Sequence, residues 1–529
     1  MRSIFFVAIV VAPLTGMAAC DPGEPGPDPP DAGAPDARAD AGPEADAAEH
    51  TEVVVYHTAD EHGWLQPTQE SATSPVEGGA ANITAWWLDL DGFDADRDLL
   101  LSGGDNWTGP SISTWFQGES TVGAFNLMGY HASAVGNHEF DFGRDVMAQR
   151  FAEADYPYLS GNIRFADTGD RVDFAQPWVL LESNGIQVGV LGLTTTDTAF
   201  SAHPIHVSDL EFDDYAPTID ELVPQMRAAG AQIVILLAHV CPTDLRLGVS
   251  QAQADVDLAL AGHCHTLGIS AAGSTAVVTS GWGFLSYGRI VLTYHHPTQS
   301  LANVDAQLVE VRYPAGGPNP VEPDPDVQAL VAYWQAETDV ILGTQIGHSN
   351  TGITHQSWAQ ANWVTDTWLW AYPEADLAIQ NFGGLRQSVP AGPITVGDVV
   401  GMMPFENSIY LLELTGQEVV DNLTQAMSGC VCPGNCCPAV AGMTVTTDVG
   451  SVEVTLEGGT PLDPVATYQV LVQDYIYYGG DGYLFQLQDP EPIDLGVHYR
   501  QPVIDWTTDL GTTPGDPLED HIDFTPRVQ

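Results

Sequence analysis

The stretch Gly136-Asn137-His138-Glu139-Phe140-Asp141 constrains this chain more than any other. It follows the short apolar run 132–135 and sets a neutral oxygen donor, an imidazole and a carboxylate within a few residues. Asn137 suits a cation, His138 a phosphate oxygen, and Asp141 the orientation of His138. Asn-His in a loop is common, so the weight comes from four more pieces in order around it: Asp60-x-His62, Gly104-Asp105, His239 and Gly262-His263-Cys264-His265. Alone, His239 reads as a satisfied structural histidine, Gly-His-Cys-His as an ordinary loop or zinc site, and Asp105 as a helix cap. In this order, at the ends of apolar runs, the five pieces read together as a metal centre.

Strands and helices alternate from residue 52. Apolar runs at 53–56, 99–101, 186–193, 233–237, 256–260, 277–279 and 290–293 predict strands, the last closing the domain. Helices are predicted over 80–90, 121–128, 145–154 and 218–228. The candidate ligands therefore fall just past the carboxyl ends of strands, where open α/β sheets place their sites. Five prolines between residues 314 and 325 mark a boundary, and 327–342 predicts one amphipathic helix. From residue 343 a helix around 358–370 precedes short strands and turns, among them 395–400, 410–414, 444–447 and 468–472. The expected layout is an α/β domain over 51–313, a Pro-rich linker and connecting helix over 314–342, and a mixed α+β domain over 343–529.

Charge bears on partners. The 529 residues hold 70 Asp and Glu against 14 Lys+Arg, all of them Arg, for a formal charge of −56. That field repels nucleic acid and anionic membranes. It still admits a small phosphorylated substrate, because bound divalent cations reverse the local potential. Residues 1–20 read as an export signal whose end, Met17-Ala18-Ala19-Cys20, resembles a bacterial lipobox. Residues 21–50 are Pro, Ala, Asp and Gly with almost no large apolar side chain, the composition of a disordered tether. The expectation is an exported protein of the cell envelope or periplasm, touching a membrane only through a lipid on Cys20. Oligomeric state stays open. Without Cys20, six of the seven cysteines are left. In an exported chain that even number favours disulfides. Two are expected inside residues 430–437, and one between Cys241 and Cys264, whose neighbouring histidines should meet at one metal cluster.

The ligand set mixes nitrogen and oxygen with no thiolate, which suits two divalent ions, Zn or Mn, with Mg or Co as further options. Asn137, His239 and His263 can complete one ion, and Asp60, His62 and His265 the other. Asp105, with two oxygens, can bridge them. Two such ions would hold a bridging hydroxide and stabilise an in-line displacement at phosphorus.

The pattern resembles the calcineurin-like metallophosphoesterases and, more narrowly, the secreted 5′-nucleotidase and UDP-sugar hydrolase family. The likeness runs from His57-Thr58-Ala59-Asp60-Glu61-His62-Gly63 through Gly104-Asp105, the Asn137 loop and Ser160-Gly161-Asn162-Ile163. It continues in Asn381-Phe382-Gly383-Gly384-Leu385-Arg386, Pro404-Phe405 and Gly479-Gly480-Asp481-Gly482-Tyr483. It implies an N-terminal α/β-sandwich dimetal phosphoesterase domain and a C-terminal α+β substrate-binding domain. It implies that His138 with Asp141 is the catalytic dyad, and that Arg386, Tyr475, Asp481 and Asn162 bind substrate. The implied reaction converts a nucleoside 5′-monophosphate to nucleoside and phosphate. A UDP-sugar, a 2′,3′-cyclic nucleotide or a sulfur compound is the alternative on the same fold. A non-catalytic surface binding protein would predict broken metal ligands, and none is broken. Two departures bear on the substrate. The family's first base-stacking aromatic has no counterpart in Cys436-Cys437-Pro438-Ala439-Val440-Ala441. Only Arg386, Arg500 and Arg527 follow residue 343.

Overall fold

The computed structural model describes residues 49–69, 73–428, 432, 434, 437–448 and 451–529. The expected signal, Cys20 and nearly all of the tether lie outside the described residues, as do Cys430 and Cys436. The first strand, His50–Thr58, begins at the last residue of the expected tether.

Two six-stranded sheets form the first domain. One runs in the order Ser300–Glu310, Ser286–His295, His50–Thr58, Leu99–Ser102, Ala132–Ala134, Tyr158–Leu159. The other runs Leu267–Ala272, Thr275–Ser280, Leu258–Ala261, Ile233–His239, Ile186–Thr194, Trp178–Ser183. Within each sheet four consecutive strands are parallel, with antiparallel strands beside them. Parallel strands are covered on both faces, so their sequences read as continuous apolar runs. Successive side chains divide between two cores. Val53, Val55, Leu99, Leu101, Ile235, Leu237 and Leu260 fill the space between the sheets. Tyr56 and Leu100 face outward into a layer with Ile83, Trp87 and Phe125, and Leu236 does the same on the other sheet with Ile219 and Leu222.

Glycine permits a close approach of the two sheets. A Cβ on Gly192 would lie 2.3 Å from the Leu159 backbone. Two residues on, the Thr194 hydroxyl donates to Val135 O at 2.7 Å, tying the second sheet to the Asn137 loop of the first.

The second domain is built on a five-stranded sheet in the order Pro438–Ala441, Leu377–Asn381, Thr467–Gln473, Ser408–Thr415, Ile493–His498. The helices Trp358–Ala371, Gly416–Ala426 and Gln501–Leu510 accompany it. The connecting helix Pro325–Leu342 packs on Ala80–Ala85 and Glu119–Met128 of the first domain and on Val396–Met402 of the second.

Several expectations are corrected. The predicted helix 80–90 is an α-helix only to Ala85 and then a π-helix, Trp86–Asp91. Strand 290–293 does not close the domain: Ser300–Glu310 pairs with it as an edge strand, its half-exposed alternation too polar to read as a core run. Residues 396–400 are helical, because Thr395 and Asp398 form a capping box that starts Val396–Met402. Thr415 and Glu418 do the same for Gly416–Ala426. Among the described residues no helix is long and apolar enough to cross a membrane.

Gly192→Ala should force the two sheets apart, at about 1–3 kcal/mol for overpacking of this kind. It touches no candidate ligand. Thermal unfolding should show a lowered first transition, and an unchanged midpoint would mean that the close approach is dispensable.

Candidate dimetal centre

Both sheets contribute to one site at the carboxyl ends of their parallel strands. Asp60 and His62 follow His50–Thr58, Asp105 follows Leu99–Ser102, and Asn137 follows Ala132–Ala134. His239 ends Ile233–His239, and His263 and His265 follow Leu258–Ala261. To bring short side chains back over the strand ends, the backbone turns into the left-handed region. Among the described residues eleven non-glycine positions have positive φ, and five are Asp60, His62, Asp105, His263 and His265. Strain of this kind, of order 1–3 kcal/mol per residue, persists only where the surroundings enforce it.

The donor atoms converge. His62 Nε2 lies 3.1 Å from His265 Nε2, and His265 Nε2 3.6 Å from Asp60 Oδ1. His239 Nε2 lies 3.1 Å from Asn137 Oδ1, 3.1 Å from His263 Nδ1 and 3.0 Å from Asp105 Oδ2. Between these groups, Asp105 Oδ2 also stands 3.9 Å from His62 Nε2. Its other oxygen accepts the His138 backbone N–H at 2.8 Å, which leaves Oδ2 facing the cluster.

The imidazoles are oriented by backbone carbonyls. His239 Nδ1–H donates to Gly103 O at 2.9 Å and His62 Nδ1–H to Thr108 O at 2.9 Å. Both Nε2 atoms therefore present lone pairs to the cluster, and such carbonyl partners fix the tautomer of metal-binding histidines. In the metal-binding form, where each facing nitrogen at 3.1 Å carries a lone pair, the pairs repel unless a cation lies among them. Two nitrogens held by one Zn at 2.0–2.1 Å in tetrahedral array are about 3.3 Å apart, so the spacing fits. Burial, with His239 nearby, lowers the pKa of His263 to about 3, and burial with Arg386 nearby lowers His265 to about 3, so both are neutral ligands. Burial opposes charge on His239, yet Asp105, Asp60 and Glu139 raise its pKa to about 10, which marks a point where positive charge is stabilised.

Two buried carboxylates brace this arrangement, and neither was assigned a role from the sequence. Glu139 accepts the backbone N–H groups of Asp105, Asn106 and Gly136 at 2.9, 2.8 and 2.6 Å. It thereby staples the loops of two neighbouring strands together. Glu61 accepts from Thr58 at 2.5 Å, Ser102 at 3.0 Å and Asn106 at 2.9 Å. Burial pushes both carboxyls up to about 7. His138 and Asp141 are brought together: His138 Nδ1 lies 2.7 Å from Asp141 Oδ2, and Nε2 lies 4.0 Å from Asp105 Oδ2. Burial lowers the His138 pKa, but Asp141 and Asp105 outweigh it and the net shift is upward.

The second domain completes a cleft of about 810 Å³ over the centre, lined by His138, Asp141, Asn381, Arg386, Tyr475 and Asp481 among others. Burial lowers the Arg386 pKa against the fields of Asp105, Asp141 and Asp60. Arg500 is held by Glu406 at 2.5 Å and Met403 O at 2.9 Å, and Arg527 by Asp366 at 2.5 Å. Asp481 accepts from Asn381 at 2.6 Å and from the Tyr475 hydroxyl at 2.8 Å. Phe405, also in the cleft, stacks on His138 with centroids 5.7 Å apart. Asn162 is a correction: it is fully buried away from the cleft, bonded to Thr194 N and O at 2.8 Å and to Asp213 O at 3.1 Å. It holds a loop and has no face toward a substrate. The Cys241–Cys264 bridge is present with Cα atoms 5.1 Å apart. Cys432 pairs with Cys437; the second bridge expected within 430–437 falls on Cys430 and Cys436, which lie outside the described residues.

The family profile for calcineurin-like phosphoesterases matches residues 53–267, and that for the 5′-nucleotidase C-terminal domain matches 337–488. The chain belongs to the calcineurin-like phosphoesterases that carry a 5′-nucleotidase C-terminal domain. It is 27% identical to protein UshA of Escherichia coli (strain K12) over 486 residues, which cover 82% of this chain and 86% of that one. It is 26% identical to a 5′-nucleotidase of Vibrio cholerae over 501 residues, covering 84% and 88%. A 5′-nucleotidase precursor from Thermus thermophilus shares the fold with a TM-score of 0.79 at 24% identity, over 90% of this chain and 99% of that one. The chain is therefore a metal-dependent phosphoric ester hydrolase.

Two substitutions separate ligand from dyad. Asp105→Ala should leave both sites empty after dialysis against excess Zn or Mn. His138→Ala should keep both ions and lose about 10²–10⁴-fold in turnover. Elemental analysis beside a phosphatase assay reads both, and loss of metal from the His138 variant would overturn its role.

Proposed function

We propose that this hydrolase is an exported 5′-nucleotidase, cleaving nucleoside 5′-monophosphates to nucleoside and phosphate. The supporting observation is that one cleft holds both a phosphate-facing and a nucleoside-facing set. Arg386 and the His138–Asp141 dyad lie at the metal centre, and Tyr475, Asn381 and Asp481 line the same cavity. Asp60, His62 and His265 would hold one cation, and Asn137, His239 and His263 the other, with Asp105 between them. When bound, the two ions supply Lewis acidity toward the phosphoryl oxygens and lower the pKa of water for attack.

The remaining steps belong to the chain. A guanidinium fork at Arg386 binds two phosphate oxygens and fixes their orientation. Asp141 accepts from His138 Nδ1–H and favours the imidazolium, in which Nε2–H also donates, to an oxygen that gains charge as the ester bond breaks. Tyr475 offers a ring face to the base, and its other side is backed by Gly480, where a Cβ would lie 2.4 Å from the ring. Asp481, tied to Asn381, accepts from sugar hydroxyls.

A second reading, a UDP-sugar, 2′,3′-cyclic nucleotide or sulfur-compound ester, is favoured by one observation. With Arg500 and Arg527 bound to Glu406 and Asp366, Arg386 is the single arginine of the second domain lining the cleft. Residues 438–441, where a second stacking aromatic is missing, form a buried strand beside Leu377–Asn381.

Phosphate release across nucleoside monophosphates, UDP-sugars and cyclic nucleotides, with Mn, Zn or Mg, decides between them. Nucleoside 5′-monophosphates should give the highest kcat/KM, and Arg386→Ala should lower it about 10–100-fold, as loss of a charged hydrogen bond does. A UDP-sugar or cyclic ester preferred by an order of magnitude would replace the first reading. For location, labelled fatty acid should enter the protein and Cys20→Ser should abolish its incorporation. Wild-type protein that takes up no label would remove the lipid anchor.

A further inference from the structure

The metal domain contributes to the far side of the cleft through a segment that the reaction at phosphorus does not use. His203 begins the short helix Pro204–Val207, and its Nδ1 accepts the Ile205 N–H at 3.4 Å. The proton of the neutral ring is therefore on Nε2. That atom is buried and has no hydrogen-bond partner, in a side chain only 10% exposed. Facing it at 3.6 Å, from the second domain, is Asp474 Oδ1, which is also buried and has no hydrogen-bond partner. The gap is too long for a direct hydrogen bond. Both residues line the cleft.

The surroundings hold the two atoms in place. His206, on the same helix, donates from Nδ1 to Phe140 O at 2.7 Å, between the dyad residues His138 and Asp141. The Tyr475 hydroxyl, next to Asp474, lies 2.8 Å from Phe200 O and 2.8 Å from Asp481 Oδ1. The His203 and Tyr475 ring centroids are 6.2 Å apart. One donor and one acceptor, fixed relative to both the dyad and the proposed base-stacking ring, are thus left without partners. Buried polar atoms in that state call for a bonding ligand.

We propose that His203 and Asp474 form a donor–acceptor pair, built across the two domains, that binds a polar edge of the nucleoside and so sets selectivity. The assignment rests on the nucleotide reading above. An oxygen or amide edge lying beside the pair accepts from His203 Nε2–H and donates to Asp474 Oδ1 at once. An ester whose leaving group lacks such an edge leaves both atoms unpaired, and sites built to hydrogen-bond a substrate reject analogues on that ground.

The test compares kcat/KM on the preferred nucleotide with kcat/KM on p-nitrophenyl phosphate in the full-length, metal-loaded enzyme. His203→Asn keeps an acceptor for the Ile205 N–H but does not reach Asp474. His203→Gln places an amide nitrogen near the position of Nε2. The selectivity ratio should fall about tenfold or more in His203→Asn, chiefly through KM. It should return toward the wild-type value in His203→Gln, with two ions bound in each. A ratio within about twofold of wild type in His203→Asn overturns the pair. If His203→Asn does not fold, Asp474→Ala, which removes the acceptor, carries the same expectation, and an unchanged ratio there overturns the pair equally. If the wild type cleaves phosphate esters but no nucleotide, the nucleotide reading falls. The pair is then judged on the best ester in the panel, and an unchanged substrate ranking in His203→Asn overturns it as well.

Discussion

Mutual repulsion at the metal centre is the constraint that the rest of the structure answers. The ring nitrogens of His62, His239, His263 and His265, which bind a metal through lone pairs, and the oxygens of Asp60, Asp105 and Asn137 meet in neighbouring contacts of 3.0–3.9 Å in a largely buried volume. Left free, such groups would turn toward solvent. Three devices prevent this: left-handed backbone at five ligands, carbonyls that pin the imidazole tautomers, and the buried carboxylates Glu61 and Glu139 behind the loops. The sandwich supplies the rigidity on which these depend. Its strands are buried on both faces, so the loop origins cannot drift, and an ion that accepts the lone pairs turns the repulsion into affinity.

Much of this was legible in the chain. The ligands lie at strand ends, and strand ends show as apolar runs broken by Gly, Asp and His. The second domain was legible as a mixed fold with its motifs, although the capping boxes at Thr395 and Thr415 were the signals that two of its helices needed. What escaped the reading depends on contacts distant in sequence. Glu139 sits inside the most informative motif, yet two of its three partners are backbone N–H groups 33 and 34 residues earlier. No local pattern encodes that. Asn162 failed for the converse reason: its motif is local, but its amide is consumed by Thr194 and Asp213 across the fold. His203 and Asp474 belong to different domains, and only their juxtaposition gives either a role.

The acidity of the chain acquires a sharper meaning at the cleft. A chain with 70 Asp and Glu and 14 arginines repels phosphate at long range. At short range the anion meets Arg386 and the dyad imidazole, whose charge Asp141 and Asp105 favour. Arg500 and Arg527, by contrast, are neutralised by partners. On the proposed reading, phosphate affinity rests on the ions, the His138 imidazole and one guanidinium, and it weakens with any of them.

The two sheets brace their ligands by different means, and burial explains why. The loops of the first sheet are enclosed, and a buried carboxylate works there because its hydrogen bonds do not compete with water. In the loop after Leu258–Ala261, His263 is half-buried while Cys264 and His265 are exposed. Hydrogen bonds at such a position contribute little, since water replaces them at small cost. Beyond the His263 N–H, which donates to the buried Asp60 carboxylate at 2.9 Å, the chain adds a covalent tie, from Cys264 to Cys241 two residues past His239, so that one bridge links the two ligand-bearing segments of the second sheet. His265 also rests on Trp282, with centroids 5.7 Å apart, a contact that excludes water where a hydrogen bond could not. The buried half of the centre is held by charge and backbone donors, and the exposed half adds to one such contact, His263 N–H to Asp60, a covalent bond and a ring.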